Sequence, residues 1–276
     1  MSEDKRNERG PADLRSFGRR RGRKISGRQS DLRETLLPYV QVDLGHLPPQ
    51  PLAKVFDAPD AGGHLEAQGE DAPDAGGHLE AQGHDGVRPL GPTPPLPPVQ
   101  AKPIWLEIGF GGGEHLIWQA AANPTVGIIG CEPFEEGVVK VLTAIDEHGL
   151  GNIRLHPDDA RPLLRWLPAA SIARAFILFP DPWPKRKHQK RRLINTALLE
   201  LLARVMQPGA ELRIGTDIAD YARTIFMAFQ ATEHFRWLAT GPDDWHLRPT
   251  DWPQTRYEQK AVREGRRSVY LRFVRT

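Results

Sequence analysis

Five acids stand where an apolar run of the chain ends: Glu107, Glu132, Asp159, Asp181 and Asp217. Acids gathered at the carboxyl ends of strands suit a ligand that carries positive charge or a ribose diol. Stability gives little reason to collect them, because like charges brought together repel. Glu107 is followed at once by a glycine turn, in the run Ile104-Trp105-Leu106-Glu107-Ile108-Gly109-Phe110-Gly111-Gly112-Gly113-Glu114. Glycines at alternate positions remove the side chains that would keep a ligand from the backbone. The helix expected from Glu114 adds unpaired N–H groups at the same place. A nucleotide-type cofactor is the natural occupant. The dinucleotide fingerprint G-x-G-x-x-G fails in both registers, with Glu114 or Leu116 in the third glycine's place. The competing reading is a glycine-rich turn with no ligand. Asp159 and Asp217 have a second alternative, as N-caps of the following helices. Glu132, about 20 residues past the turn, stands where a ribose diol is bound.

Cations form a second set. The net charge is only +2, yet Lys and Arg concentrate at Arg15 to Arg28, Lys185 to Arg192 and Arg256 to Arg275. One such cluster would read as a solvated face; three point to a polyanion. The middle cluster follows Phe179-Pro180-Asp181-Pro182-Trp183-Pro184-Lys185, where Asp181 lies between two prolines on a rigid turn. Trp183 would either stack on a base or pack.

The elements that must position these residues alternate from Lys102 onwards between strand and helix, the pattern of a mostly parallel α/β sheet. Strands are expected from Ile104, at Val126–Cys131, Ile153–His156, Ala173–Phe179 and Glu211–Gly215, with Phe235–Ala239 and Ser268–Val274 as an antiparallel edge pair. Helices are expected at Glu114–Ala122, Glu135–His148, about Gln189–Met206 and, after Thr216-Asp217 closes the fifth strand, to about Gln230. Ahead of them come a polar start, a basic arm (1–30) expected to be largely disordered, and a short helix over Asp31–Tyr39 within a lead-in, 31–47. Residues 48–100 form a Pro/Gly-rich insertion in which Asp57–Gly69 recurs identically as Asp71–Gly83. Two polar copies are too few to stack, so the segment reads as a tandem duplication in a tolerant loop. His64, His78 and His84 within it have no fixed geometry, and no metal is expected. The single cysteine, Cys131, excludes a disulfide framework, and no run approaches membrane-spanning length. A soluble, cytoplasmic protein is the expectation.

The E-x-G-x-G-x-G pattern of Glu107 to Gly113 resembles the first motif of class I S-adenosylmethionine (SAM) methyltransferases. SAM has no pyrophosphate; it carries an amino-acid tail and a sulfonium, which a carboxylate suits. With Gly130-Cys131-Glu132, Phe179 to Lys185, Gly215-Thr216-Asp217 and Thr255-Arg256-Tyr257-Glu258 in this order, and Ser16 to Arg20 before them, the chain resembles bacterial tRNA (guanine-N7-)-methyltransferases over roughly 14–47 and 101–276. The resemblance implies a Rossmann-like, seven-stranded, mostly parallel sheet with helices on both faces and an antiparallel edge. It implies SAM as methyl donor and tRNA as partner, with methylation of guanine N7 at nucleotide 46 of the variable loop. By it Glu107, Gly109, Glu132, Asp159 and Asp181 are donor contacts, and Asp181 is also catalytic. Lys185, Asp217, Thr255, Arg256, Tyr257 and Glu258 are the substrate contacts, in a monomer or homodimer without metal. The Asp158-Asp159 pair leaves open which acid meets the adenine. Two rivals stand beside this reading. One is an amino-methyltransferase, disfavoured because Trp183 replaces the second proline of its Asp/Asn-Pro-Pro-aromatic motif. The other is an RNA-binding module without catalysis.

Overall fold

A computed structural model of the chain describes residues 22, 24–57 and 102–276. The expectations for the first residues of the arm and for most of the duplicated segment fall outside the described residues.

Ser26 opens helix α1 (Gly27–Thr35) through a capping box in which Ser26 and Gln29 satisfy each other's backbone N–H. The helix therefore starts earlier than Asp31, and α2 (Leu37–Val40) follows after a break. Leu52–Phe56 forms a 3-10 turn whose Leu52 is buried in the core, so the first residues of the Pro/Gly-rich segment belong to the packed structure. Next come β1 (Ile104–Ile108), α3 (Glu114–Ala122), β2 (Gly127–Cys131), α4 (Glu135–His148), β3 (Ile153–His156), α5 (Ala160–Trp166) and β4 (Ile172–Leu178). A 3-10 turn, Arg186–Arg191, leads to α6 (Thr196–Val205), β5 (Met206–Thr216), α7 (Ala219–Gln230), β6 (Phe235–Trp237), α8 (Asp243–His246), α9 (Arg256–Arg263) and β7 (Val269–Arg275).

The sheet order is β3-β2-β1-β4-β5-β7-β6. Neighbours pair in parallel from β3 through to β5, and β7 pairs antiparallel with both β5 and β6. The reversed strand is thus β7, one place in from the edge, between β5 and the short β6.

Two apolar layers hold this sheet. One gathers Leu163, Leu199, Leu202 and Ile225 from α5, α6 and α7; the other gathers Leu116, Val138, Leu142 and Ile145 from α3 and α4. Each such side chain contributes about 1.5–3 kcal/mol when fully buried. Strand β1 supplies both layers in alternation, with Ile104, Leu106 and Ile108 to the first and Trp105 to the second. The period of two then turns Glu107 to the same face as Trp105, towards α3.

The expected helix from Gln189 is broken. Asn195 accepts a hydrogen bond from the Leu198 N–H and starts α6 there, while the residues before it form the 3-10 turn. Helical spacing over 189–195 was too short to tell the two forms apart.

Candidate active site

The acids converge at the carboxyl ends of β1, β2, β3 and β4, and the glycine turn lies between the first two. Gly109, Gly111 and Gly113 all have positive φ, at 77°, 57° and 81°. A Cβ on Gly111 would lie 2.9 Å from the Tyr257 hydroxyl, and one on Gly137 of α4 would lie 1.9 Å from the Gly111 carbonyl oxygen. The turn is therefore clamped between the starts of α4 and α9, and neither position admits a side chain.

Glu132, directly after β2, is buried. Its Oε2 accepts from the Gly111 N–H at 2.8 Å and its Oε1 from the Phe134 N–H at 2.9 Å. Burial pushes its carboxyl above the usual range, the two backbone donors offset part of that, and the charges of Asp181 and Glu107 add to it. Each oxygen keeps a lone pair for a ligand hydroxyl. Glu107 is buried too, and its Oε2 meets His115 Nδ1 at 2.7 Å. With Gly109, Phe110, Glu114, His115, Leu178, Phe179, Thr255 and Tyr257 it lines a small, open cleft.

Asp181 differs. It is exposed at the rim, no cation pairs with it among the described residues, and its surroundings still desolvate it enough to raise its carboxyl. The turn that carries it is strained, with Phe179 at φ 50° and Trp183 at φ 42°. Non-glycine residues in that region cost of order 1–3 kcal/mol each and persist only where neighbours enforce them. Here the Phe179 N–H donates to the Gly215 carbonyl at 2.7 Å, and Arg192 ties down the other end of the turn. The Arg192 Nε donates to the Pro182 carbonyl at 3.0 Å, its guanidinium binds Asp220 and the Thr224 hydroxyl, and it lies 4.9 Å from the Tyr221 ring centroid. Arg192 is buried, so it belongs to the scaffold and leaves the cationic rim to its neighbours. Lys185, Arg186, Lys187 and Lys190 are exposed there. Trp183 packs, with His188 edge-on at 5.9 Å and Arg191 at 5.0 Å from its ring.

The remaining residues singled out from the sequence have these places. Asp159 caps α5, accepting from the Arg161 N–H at 2.8 Å and pairing with its guanidinium, while Asp158 accepts from the Asp159 N–H at 2.8 Å. Asp217 pairs with Arg266 at 2.6 Å and is no N-cap, since that position falls to Ile218. Thr255 is buried and caps α9 through the Glu258 N–H. Glu258 is buried, accepts from the Tyr270 hydroxyl at 2.6 Å and meets Arg248 at 3.3 Å. Of the Thr255–Glu258 run, Arg256 and Tyr257 are the reachable pair. They lie on the glycine turn, where Arg256 binds Glu114 at 3.1 Å. Tyr257 has its hydroxyl raised chiefly by burial; Arg256 opposes this, and Glu132, Glu114 and Asp181 reinforce it.

Sequence reasoning missed His115, Gln119 and Gly137. Only the face shared by Glu107 and α3 would have pointed to the first, and nothing local marks the others. Among the described residues, no three His, Cys, Asp or Glu side chains are grouped to hold a metal ion, and no helix is long and apolar enough to cross a membrane.

A parallel sheet with one reversed strand beside its edge, a glycine turn after β1 and acids at the tips of β1 and β2 define a class I methyltransferase fold. The family described as a putative methyltransferase matches residues 101–271. A tRNA (guanine-N(7)-)-methyltransferase of Rhodospirillum rubrum is 42% identical over 95% of this chain and 88% of its own length. That of Agrobacterium fabrum is 38% identical over 100% of both chains, and that of Roseobacter denitrificans is 53% identical over 64% of this chain and 75% of its own. The chain belongs to the tRNA (guanine-N(7)-)-methyltransferase family.

Proposed function

We propose that the chain transfers the methyl group of SAM to N7 of guanine 46 in the variable loop of tRNA, in the cytoplasm. The observation that carries the reading is the convergence of Glu107, Glu132 and Asp181 around one glycine turn, with the exposed Lys185–Lys190 turn directly after Asp181. Relatives named tRNA (guanine-N(7)-)-methyltransferase match nearly the whole chain, which supports tRNA and guanine N7 as the target.

The residues present fit the donor. A Cβ on Gly109 would meet nothing within 4 Å, so the backbone there is open to a ligand; Glu132 has acceptor capacity for a ribose diol, and Glu107 offers charge to the ammonium of the methionine tail. Asp159 is proposed beside the adenine, since it follows β3 next to Glu132 on the neighbouring strand. SAM supplies a methyl carried on a sulfonium. Guanine N7 has a free lone pair at neutral pH, so no base must remove a proton first. N7 forms the new N–C bond as the S–C bond breaks, and positive charge moves onto the purine. Asp181, without a cation partner among the described residues and held by Arg192 through Pro182, stabilises that charge and orients the ring. Lys185 and its exposed neighbours meet phosphates of the folded RNA. Arg256 and Tyr257 offer a cation and an aromatic plane where the donor site opens. Asp217, Thr255 and Glu258 contribute to substrate binding by holding this wall through their internal partners.

The test is methyl transfer from labelled SAM to tRNA lacking the modification, followed by nuclease digestion. Release of 7-methylguanosine is expected. Methyladenosine or methylcytidine would favour the amino-methyltransferase, and SAM uptake without transfer would favour a binding module.

A further inference from the structure

We infer that His115 is a positioning residue for the donor site: as a neutral imidazole with its proton on Nδ1, it holds Glu107 as a full carboxylate. The inference rests on the proposed role of Glu107 towards SAM and deepens it. His115 Nδ1 lies 2.7 Å from Glu107 Oε2, and both side chains are 2% exposed. On the other side of the ring, His115 Nε2 lies 3.1 Å from Gln119 Nε2.

The orientation of Gln119 decides the proton's place. Its Nε2 donates to the Asp251 carbonyl at 2.8 Å, and its Oε1 accepts from Asn123 Nδ2 at 3.2 Å. A carbonyl can only accept, so the nitrogen end of the carboxamide must face Asp251. That same NH₂ group then offers its second hydrogen to His115, whose Nε2 must present a lone pair. The single ring proton is left on Nδ1, donated to Glu107. An imidazolium would set an N–H against an NH₂ and would cancel the negative charge that a cationic ligand needs. Phe176, edge-on at 4.7 Å, and Trp252, at 6.1 Å, fix the plane of the ring. Asp251 is itself held by Arg213 at 2.9 Å, so the relay starts from an anchored loop. Glu107 keeps its second oxygen for the ligand.

The experiment compares wild type, His115→Asn and His115→Phe by SAM calorimetry, steady-state kinetics and thermal melting, together with ¹⁵N NMR of the ring in the wild-type protein. Asn places an N–H donor near the Nδ1 position, whereas Phe keeps the ring shape without a donor. Expected are a neutral Nδ1–H pattern, a SAM Kd for His115→Asn within about threefold of wild type, and a Kd for His115→Phe weakened roughly tenfold or more. The kcat at saturating SAM should be largely kept in both. A His115→Phe protein that binds SAM as wild type does, equal weakening in both variants, or an Nε2–H or imidazolium pattern would overturn the inference. Should neither variant fold, the wild-type ring pattern decides alone. Failure of wild type to bind SAM would instead remove the methyl-donor reading, and the tautomer would still be read.

Discussion

The acids at the tips of β1 and β2 and the acid after β4 are the same kind of group in opposite circumstances. Glu107 and Glu132 are buried and already engaged, by His115 and by two backbone N–H groups. Asp181 is exposed, takes no ion-pair partner among the described residues and sits on a strained turn held by a buried arginine. The first pair is built into the fold and would bind a ligand at little cost in ordering. The second has no such partner among the described residues, which leaves it available to charge that develops during a reaction. Under the proposed function, binding and chemistry would be divided between neighbouring strand ends.

The sharpest way to break this contrast is Asp181→Asn. Turnover should fall about 10²–10³-fold with SAM affinity largely kept, while Tm is unchanged or higher because an uncompensated charge is removed. Single-turnover kinetics and calorimetry read the two arms; an active variant would take Asp181 out of the chemistry. Glu132→Ala should behave differently, weakening SAM about tenfold or more and lowering Tm. It leaves the Gly111 and Phe134 N–H groups without an acceptor, at about 1–3 kcal/mol for a buried donor. A stable Glu132→Ala protein with normal affinity would erase the distinction.

Next in size is the rim. Replacing Lys185, Lys187 and Lys190 by Ala should raise the KM for tRNA about tenfold and reduce the slope of log K against log salt by roughly 0.7–0.9 per lost phosphate contact. An unchanged slope would make the cluster a solvated face. Acidification gives a smaller and opposed pair of effects. Glu132 and Asp181 both have raised carboxyls, so the native protein binds more protons than the unfolded chain just above the ordinary carboxylate range. These groups therefore favour the fold at low pH, and that contribution is lost as pH rises through their folded values. The proposed donor contact of Glu132 needs that group charged, so SAM affinity should fall as the pH is lowered towards the carboxylate range, ahead of any acid unfolding. Calorimetry across that range checks it, and a flat profile would show that its protonation does not matter. The smallest effect is expected for Asp159→Ala, about 1 kcal/mol from the lost cap and a weaker change in SAM affinity than for Glu132→Ala.

How much of this was legible depended on how local the cause was. The strand at Ile104, the glycine turn and the acids at five strand ends are read from neighbours in the chain, and the structure places them as expected. The helix at Gln189 was not, because the residue that interrupts it, Arg192, is held by Asp220 and Pro182, which no periodicity reveals. Helices α5 and α9 were overlooked for a similar reason. Both are short, at 7 and 8 residues, and helices of that length are marginal until they are packed. Basic composition likewise could not separate the buried Arg192 from the exposed Lys185 and Lys187 beside it.

By itself, the sequence determined the alternation of strand and helix, the glycine turn and which residue types stand at the strand ends, since these follow from hydrophobic period and backbone freedom between adjacent residues. Tertiary structure alone decided which carboxylate is engaged and which is left open. It also decided which arginine is scaffold and why α9 closes on the glycine turn. Hydrogen bonding, burial and charge pairing act between residues far apart in the chain, such as Gln119 and Asp251 or Gly111 and Tyr257, and only folding brings these within reach.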